Sequence, residues 1–214
     1  MIQLPLPMAW SGRDEKGHLL IHAGNADAVA LLRSWPRWPS PCTLLVGPRR
    51  SGRSLLGRLF EAETGGMTVD EAERCDEARL FNLWNEARDG GWPLLLIADD
   101  ALVPWRIALP DLRTRIGTAA LARIVVPDEA AASALIAHGL ETAGSAFAPD
   151  LPDFLARRTA RCYETIDSVV TRLNAASLAS GQKLSIVSAK AILDLAEPGA
   201  TADTTSDEDM QHRG

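Results

Sequence analysis

The segment from Gly47 to Ser54 combines glycines, arginines and a hydroxyl at a spacing that suits a phosphate group. It reads GPRRSGRS and matches the pattern GxxxxGK[ST], except that Arg53 stands in the lysine position. Glycines let backbone N–H groups converge on phosphate oxygens, and the start of a following helix adds positive potential. We expect Arg53 to reach a β-phosphate and Ser54 to bind Mg²⁺. The alternative is a glycine-rich turn with a coincidental match.

Two groups of acids follow short apolar runs, and either could complete the magnesium site. Between Asp99 and Arg115 there is no room for the helix and strand that a P-loop ATPase of this type needs before its arginine. We therefore assign Asp70 to Mg²⁺, Glu71 as a water-orienting base, and Asp99 as a polar sensor on the next strand. Two alternatives stay open: Asp99 or Asp100 is the magnesium acid, or Asp70 and Glu71 only mark a solvated helix start.

The elements that must position these residues alternate between strands and helices. Short apolar runs predict buried parallel strands, and apolar residues at helical spacing predict the helices between them. After residue 126 the pattern is helical throughout. This order predicts an α/β fold, a parallel sheet flanked by helices, with a small all-helical lid. Strands are expected at 43–46, 67–69, 94–97 and 121–126, and helices at 26–34, 53–63, 75–88, from 109, 129–139, 150–158, 161–180 and 185–196.

Composition and charge narrow the function. Hydrophobic residues make up 46% and charged residues 23% of the chain, a globular mix. No apolar run approaches the roughly 20 residues of a membrane helix, and a secretion signal is not recognisable, so we expect a cytoplasmic protein without membrane contact. The net charge is −6, and residues 197–214 contribute −4 of it, five acids against one arginine. Without a basic block, direct sequence-specific DNA binding is not expected.

Four features together resemble the DnaA-related AAA+ family, and within it the Hda-type regulators of replication initiation. Residues 3–8, QLPLPM, look like the peptide by which such regulators dock on the DNA polymerase sliding clamp. The loop GPRRSGRS has the arginine that Hda-type proteins often carry. Residues 109–116, LPDLRTRI, are similar to the family's LPDLxSRL element, and residues 173–193 look like its last two lid helices. The resemblance covers nearly all of residues 3–196.

The resemblance implies a role for each matching residue. Arg115 becomes an arginine finger that acts in trans on ATP held by DnaA; the alternative is a local ion pair with Asp111. Asn25 lies where the family places an adenine-side residue, and it could also cap the following helix. Contacts to an ADP or ATP nucleotide are implied for Gly47, Pro48, Ser51, Gly52, Arg53, Ser54, Leu55, Asp70 and Asp99, and contacts to the clamp for Gln3, Leu4, Leu6, Pro7 and Met8.

The chain also departs from the family. Ser54 and Asp70 are so close in sequence that one edge strand of the sheet is missing. The position of the lid's sensor arginine is occupied by Glu164, although Arg161 lies one turn away and is a candidate for nucleotide contact. Because an acid repels phosphate, we expect bound ADP and little intrinsic hydrolysis.

The sequence therefore predicts a negative regulator of replication initiation with DnaA and the sliding clamp as partners. The alternatives are a self-contained P-loop ATPase and a DnaA-related adaptor or loader that does not stimulate hydrolysis; a homodimer is also compatible. The expected division is 1–10 as an extended clamp-binding arm, 11–126 as the AAA+ domain, 127–196 as the lid and 197–214 as an acidic disordered tail.

Overall fold

A computed structural model describes residues 19–99 and 106–193. In chain order the elements are α1 (Ala26–Arg33), β1 (Cys42–Gly47), α2 (Arg53–Thr64), β2 (Met67–Val69), α3 (Glu77–Gly90), β3 (Leu94–Asp99), α4 (Pro110–Gly117), β4 (Ala120–Arg123), α5 (Glu129–Thr142), α6 (Leu151–Arg158), α7 (Tyr163–Ser180) and α8 (Ile186–Leu193). Short 3₁₀ turns lie at Trp35–Arg37 and Ala72–Arg74.

Some of the sequence-based expectations fall on residues outside these ranges. They concern the clamp-binding arm with Gln3, Leu4, Leu6, Pro7 and Met8, the alternative magnesium acid Asp100, and the acidic tail. None of the helices in the described ranges combines the length and the apolar composition that a bilayer span requires.

The four strands form one parallel sheet in the order β2-β3-β1-β4. Strands β1 and β3 lie at the centre and are almost wholly buried, which explains their continuous apolar sequences. Leu44 pairs with Leu96, and Gly47 pairs with Asp99 at the carboxyl ends of the strands. The predicted parallel α/β sheet is confirmed, and its carboxyl edge brings the phosphate loop next to the end of β3.

Helices cover both faces of the sheet because successive strand residues point to opposite sides. On one face, Leu44 and Leu96 pack in a cluster with α3 and α4. On the other, Leu45 and Ile97 pack with residues of α1 and α2, including the fully buried Phe60.

Helices α5 to α8 pack around a core of their own, centred on Ile136, Leu140, Leu155 and Leu173. A backbone bridge that the sequence did not predict joins the loop before α6 to the loop before α8. There the Leu184 N–H donates to the Ala146 carbonyl at 2.8 Å, and the Leu184 carbonyl accepts from the Ala148 N–H at 2.8 Å. The predicted helical C-terminal part is confirmed, with one isolated bridge added.

The outer edge of β2 is closed by a side chain of α2. The Thr68 N–H, which points away from β3, donates to Glu61 Oε1 at 2.6 Å. The Thr68 hydroxyl donates to the Gly57 carbonyl at 3.1 Å. In a longer sheet another strand would take this backbone donor, so Glu61 compensates for the missing edge strand.

Among the predicted boundaries that differ from the structure, two have a clear local reason. Helix α3 begins after Asp76 rather than at residue 75, because the Asp76 carboxylate accepts from the Arg79 N–H at 2.9 Å and caps the helix. Strand β4 ends at Arg123 rather than at 126, because the Val125 N–H donates to the Gly24 carbonyl, in the loop before α1.

We expect Gly57→Ala to destabilise the protein. A Cβ at this position would lie 2.8 Å from both Ile97 Cδ1 and Thr68 Cγ2, where the helix packs directly on the sheet. Overpacking of this kind costs about 1–3 kcal/mol of unfolding free energy, measurable by urea titration. The matched control is Gly117→Ala in α4, where the added Cβ meets nothing within 4 Å. An equal loss in both variants would contradict the explanation.

Candidate functional site

A cleft of about 450 Å³ opens at the carboxyl edge of the sheet, within the size range of small-molecule sites. The phosphate loop, the turn after β2 and the end of β3 contribute its walls. Its lining residues are Arg49, Arg50, Arg53, Ser54, Asp70, Glu71, Glu73, Arg74, Ala98 and Asp99.

The phosphate loop leaves hydrogen-bond donors unused. Gly52 precedes α2 in a left-handed conformation, φ 86°, and no side chain in the described ranges caps the helix. The N–H groups of the first turn of α2 therefore have no intrahelical partner. Ser51 is only 6% exposed, and its Oγ has no hydrogen-bond partner among the described residues. These unused donors at a helix start fit a phosphate group.

Packing fixes the glycine at position 47 of the loop. A Cβ on Gly47 would lie 2.8 Å from the Ile124 Cβ, so the loop passes too close to the chain after β4 for a side chain. Pro48 and Leu55 are half-buried and are not among the residues that line the cleft.

The predicted magnesium ligands are in contact. Ser54 Oγ donates to Asp70 Oδ2 at 2.5 Å, although the two residues are 16 positions apart. Asp99 ends β3 and lines the same cleft. Hydroxyl and carboxylate oxygens are the ligands that Mg²⁺ prefers, so this pair fits a magnesium ion brought by a nucleotide.

Arg53 is engaged by the sheet. Its Nη1 donates to the carbonyl of Ala98 in β3, which ties the first turn of α2 to the strand beside β1. The side chain lines the cleft, and reaching a phosphate would require it to exchange this carbonyl for a phosphate oxygen.

The turn after β2 holds two further acids. Glu71 adopts a left-handed conformation, φ 49°, and its carboxylate lies 3.2 Å from Arg74 Nη1. This pairing holds the predicted water-orienting base beside a cation. Glu73, which the sequence analysis did not single out, has one carboxylate oxygen buried without a hydrogen-bond partner among the described residues. Its burial is a tertiary effect that no local pattern announces.

The charges that line the cleft balance. Four arginines face four carboxylates: Arg49, Arg50, Arg53 and Arg74 against Asp70, Glu71, Glu73 and Asp99. Attraction of an anion therefore depends on where the donors point rather than on a net positive charge.

Asn25 does not make the predicted helix cap. It occupies the N-cap position of α1, but its side chain makes no capping hydrogen bond. Instead, Oδ1 accepts from the His22 N–H and Nδ2 donates to the Leu20 carbonyl, both at 2.9 Å. Asn25 is 2% exposed and does not line the cleft. It shapes the loop before α1, because its amide satisfies two backbone groups of that loop at once.

Tyr163, the first residue of α7, fastens the lid to this loop. Its hydroxyl donates to the Val125 carbonyl at 2.9 Å and lies 3.4 Å from His22 Nε2. Burial raises the pKa of Tyr163 to about 12. Burial also lowers the pKa of His22, against an opposing effect of Asp128, and His22 Nδ1 accepts from the Gly24 N–H at 3.1 Å. The His22 imidazole that lies next to the Tyr163 hydroxyl is therefore neutral.

We expect the free energy of unfolding to fall as the pH decreases below about 6.5. The pKa of His22 is lower in the folded chain than its ordinary value of 6.5, so the unfolded chain takes up the proton first. The contribution of His22 is complete above pH 6.5 and is lost as the pH falls through the folded pKa. Urea titrations at pH 7.5 and 5.5 measure this difference. His22→Asn should reduce this difference, and an equal difference in the wild type and in the variant would count against the assignment.

The side chain of Arg115, a residue of α4, packs against helix α3 and does not pair with Asp111. Its guanidinium is 4.2 Å from the ring centres of both Phe81 and Trp84, and Nη1 donates to Asn85 Oδ1 at 2.5 Å. The predicted alternative, an ion pair with Asp111, is wrong. In the part of the chain that the structure describes, the partners of this arginine are neutral, so no carboxylate cancels its charge.

Glu77, the first residue of α3, positions helix α4, which carries Arg115. Both oxygens of Glu77 accept backbone N–H bonds just before α4, from Ala108 at 2.8 Å and Leu109 at 2.6 Å. The contact spans more than 30 positions, so no sequence pattern pointed to it.

Arg161 does not line the cleft. Its Nη1 lies 3.9 Å from Glu129 on α5, at the surface of the lid.

Solved structures of replication proteins share this architecture. Domain III of the replication initiation protein DnaA from Thermotoga maritima matches with a TM-score of 0.69 and 14% identity, over 84% of this chain and 95% of that one. AMPPCP-bound DnaA from Aquifex aeolicus matches with a TM-score of 0.59 and 12% identity, over 72% of this chain. This chain spans 62% of the length of that structure.

The Holliday junction branch migration motor RuvB from Thermotoga maritima also matches, with a TM-score of 0.53 and 14% identity over 72% of this chain and 60% of that one. No protein-family model and no curated protein matches the chain. At these identities the likeness establishes the fold alone: a parallel α/β sheet flanked by helices, with a helical C-terminal part, as in domain III of DnaA.

Proposed function

We propose that this chain is a DnaA-related AAA+ regulator that lowers replication initiation. It docks on the DNA polymerase sliding clamp through residues 3–8 and presents Arg115 to ATP bound by DnaA. The Gly47–Ser54 loop of the chain itself holds ADP with Mg²⁺.

The environment of Arg115 is the observation that carries the proposal. An arginine that acts on another protein's nucleotide needs a defined position and an uncancelled charge. The two aromatic rings and the Asn85 amide hold the guanidinium of Arg115 in a defined position. Because these partners are neutral, they do not cancel its charge. Glu77 adds rigidity, because it holds the chain at the start of α4.

The cleft supports nucleotide binding by this chain. The uncapped start of α2, the orphaned Ser51 hydroxyl and the Ser54–Asp70 pair are the groups that a phosphate and its magnesium ion would use. A bound nucleotide would supply phosphate oxygens for these donors and stabilise the folded chain by mass action. Glu71 is paired with Arg74, so intrinsic hydrolysis is expected to be slow.

Binding of the full chain to the sliding clamp of its own organism tests the proposal. We expect the wild type to bind and Gln3→Ala/Leu6→Ala to lose binding, because an extended peptide gains its affinity from a few anchoring side chains. Ile2→Ala/Ser11→Ala, which flanks the segment, is the matched control and should bind like the wild type. Absence of binding by the wild type contradicts the clamp-docking proposal, and rapid ATP turnover by the isolated chain favours a self-contained ATPase instead.

A further inference from the structure

Two arginines of the phosphate loop contact the lid as well as the cleft. Arg49 Nε lies 3.8 Å from Glu164 Oε1, and Arg50 Nη1 lies 3.6 Å from Asp167 Oδ2. Both arginines also line the cleft. We call them the loop arginines, and Glu164 and Asp167 the lid acids. The lid acids are three positions apart on α7, so they lie on the same side of the helix.

We infer that the lid acids compete with nucleotide phosphate for the loop arginines, so that a bound nucleotide loosens the lid instead of closing it. A guanidinium that pairs with a carboxylate can pair equally well with a phosphate, and phosphate offers more acceptor oxygens and more charge. Both partners of each ion pair are more than half exposed, so each contact is weak and easily exchanged. This inference rests on the nucleotide binding proposed above.

The geometry of the loop supports an exchange of partners. Arg50 has φ 61°, a left-handed conformation that is costly for a residue with a side chain. Its exposed ion pair with Asp167 is too weak to compensate for this cost, so little holds the guanidinium in its present position. Arg50 already lines the cleft, and a phosphate at the start of α2 would draw its guanidinium away from Asp167.

A loosened lid remains attached at Tyr163 and at Leu135 of α5, which both pack with the cluster on the sheet. Tyr163 holds the first turn of α7 to the Val125 carbonyl through a neutral hydrogen bond that phosphate does not compete for. The lid acids lie on the same turn and the next one, so releasing them loosens the hold of the phosphate loop on this end of α7. The lid would thus report the nucleotide state of the cleft by its mobility.

Hydrogen exchange of α7 in the full chain, with and without Mg²⁺·ADP, tests the inference. We expect the amides of residues 164–170 to exchange faster when ADP is bound. Slower exchange would show that the nucleotide draws the lid closed and would overturn the inference. Clamp binding is not measured in this experiment, so failure of the clamp-docking proposal would leave the result unaffected.

Removal of the lid acids provides the second arm. We expect Glu164→Gln/Asp167→Asn to bind ADP roughly 2- to 30-fold more tightly than the wild type, the range for losing two exposed ion pairs as competitors. Its α7 amides should exchange rapidly even without ADP. Glu141→Gln removes one negative charge from the exposed surface of α5, away from the loop arginines, and should behave like the wild type. An unchanged affinity in the double variant, or no ADP binding by any of the three proteins, would overturn the inference.

Discussion

Replacing Arg115 with alanine is expected to reduce ATP hydrolysis on DnaA to the rate of DnaA alone. A guanidinium placed on transferring phosphoryl oxygens contributes about 10³- to 10⁵-fold in the GTPases where it has been measured, so its loss should remove nearly all of the stimulation. Clamp binding should be unaffected, because residues 3–8 are intact. The measurement is the ADP-to-ATP ratio on DnaA after incubation with clamp, DNA and the variant.

Two further variants separate chemistry from folding. Arg115→Lys keeps a cation over Phe81 and Trp84 but loses the planar fork, so it should fold normally and still fail to stimulate. Arg79→Ala removes an exposed arginine from the same region of α3 and should stimulate like the wild type. Full stimulation by Arg115→Ala would refute the assignment, and it would leave an adaptor that does not act on the nucleotide of DnaA.

The second large effect is expected at the contact between Ser54 and Asp70. Ser54→Ala and Asp70→Asn should each weaken Mg²⁺·ADP binding by about 10- to 100-fold and leave the weaker binding of ADP in EDTA nearly unchanged. Because the hydroxyl donates directly to the carboxylate, the two side chains act as one unit. The double variant should therefore be little worse than the weaker-binding single variant.

Calorimetric titration with and without magnesium gives the affinities for this cycle. Glu63→Gln, an exposed acid on α2, is the matched control for loss of a negative charge. Equal losses of affinity with magnesium and in EDTA would mean that the pair supports the loop and does not hold the metal. Strictly additive losses would mean that the two side chains act independently.

The sequence was sufficient to predict the order of elements and the parallel sheet. The apolar runs around Leu44 and Leu96 are continuous because those strands are buried on both faces, and glycines mark the turns between elements. The loop, the Ser54–Asp70 pair and the position of Asp99 followed from that order, because the carboxyl ends of parallel strands share one edge of the sheet.

What the sequence did not predict depends on side chains that meet across long separations. Glu77 reaches the start of α4, and Asn25 turns back to the loop before α1 instead of capping its helix. Arg115 rests on α3, although Asp111 is nearer in sequence. For Asn25 and Arg115 a local rule offers a plausible partner, and tertiary packing supplies a different one.

The hydrogen bond from the Thr68 N–H to Glu61 bears on how a domain of this kind can become smaller. Loss of an edge strand exposes a backbone donor, and an exposed donor can pair with a strand of a neighbouring molecule. The single carboxylate of Glu61, on the adjacent helix, accepts from this donor and so prevents such pairing. Position 61 is therefore less free to vary than its place on a surface helix suggests, since a residue without an acceptor there would leave the Thr68 N–H open to pairing with a strand of a second molecule.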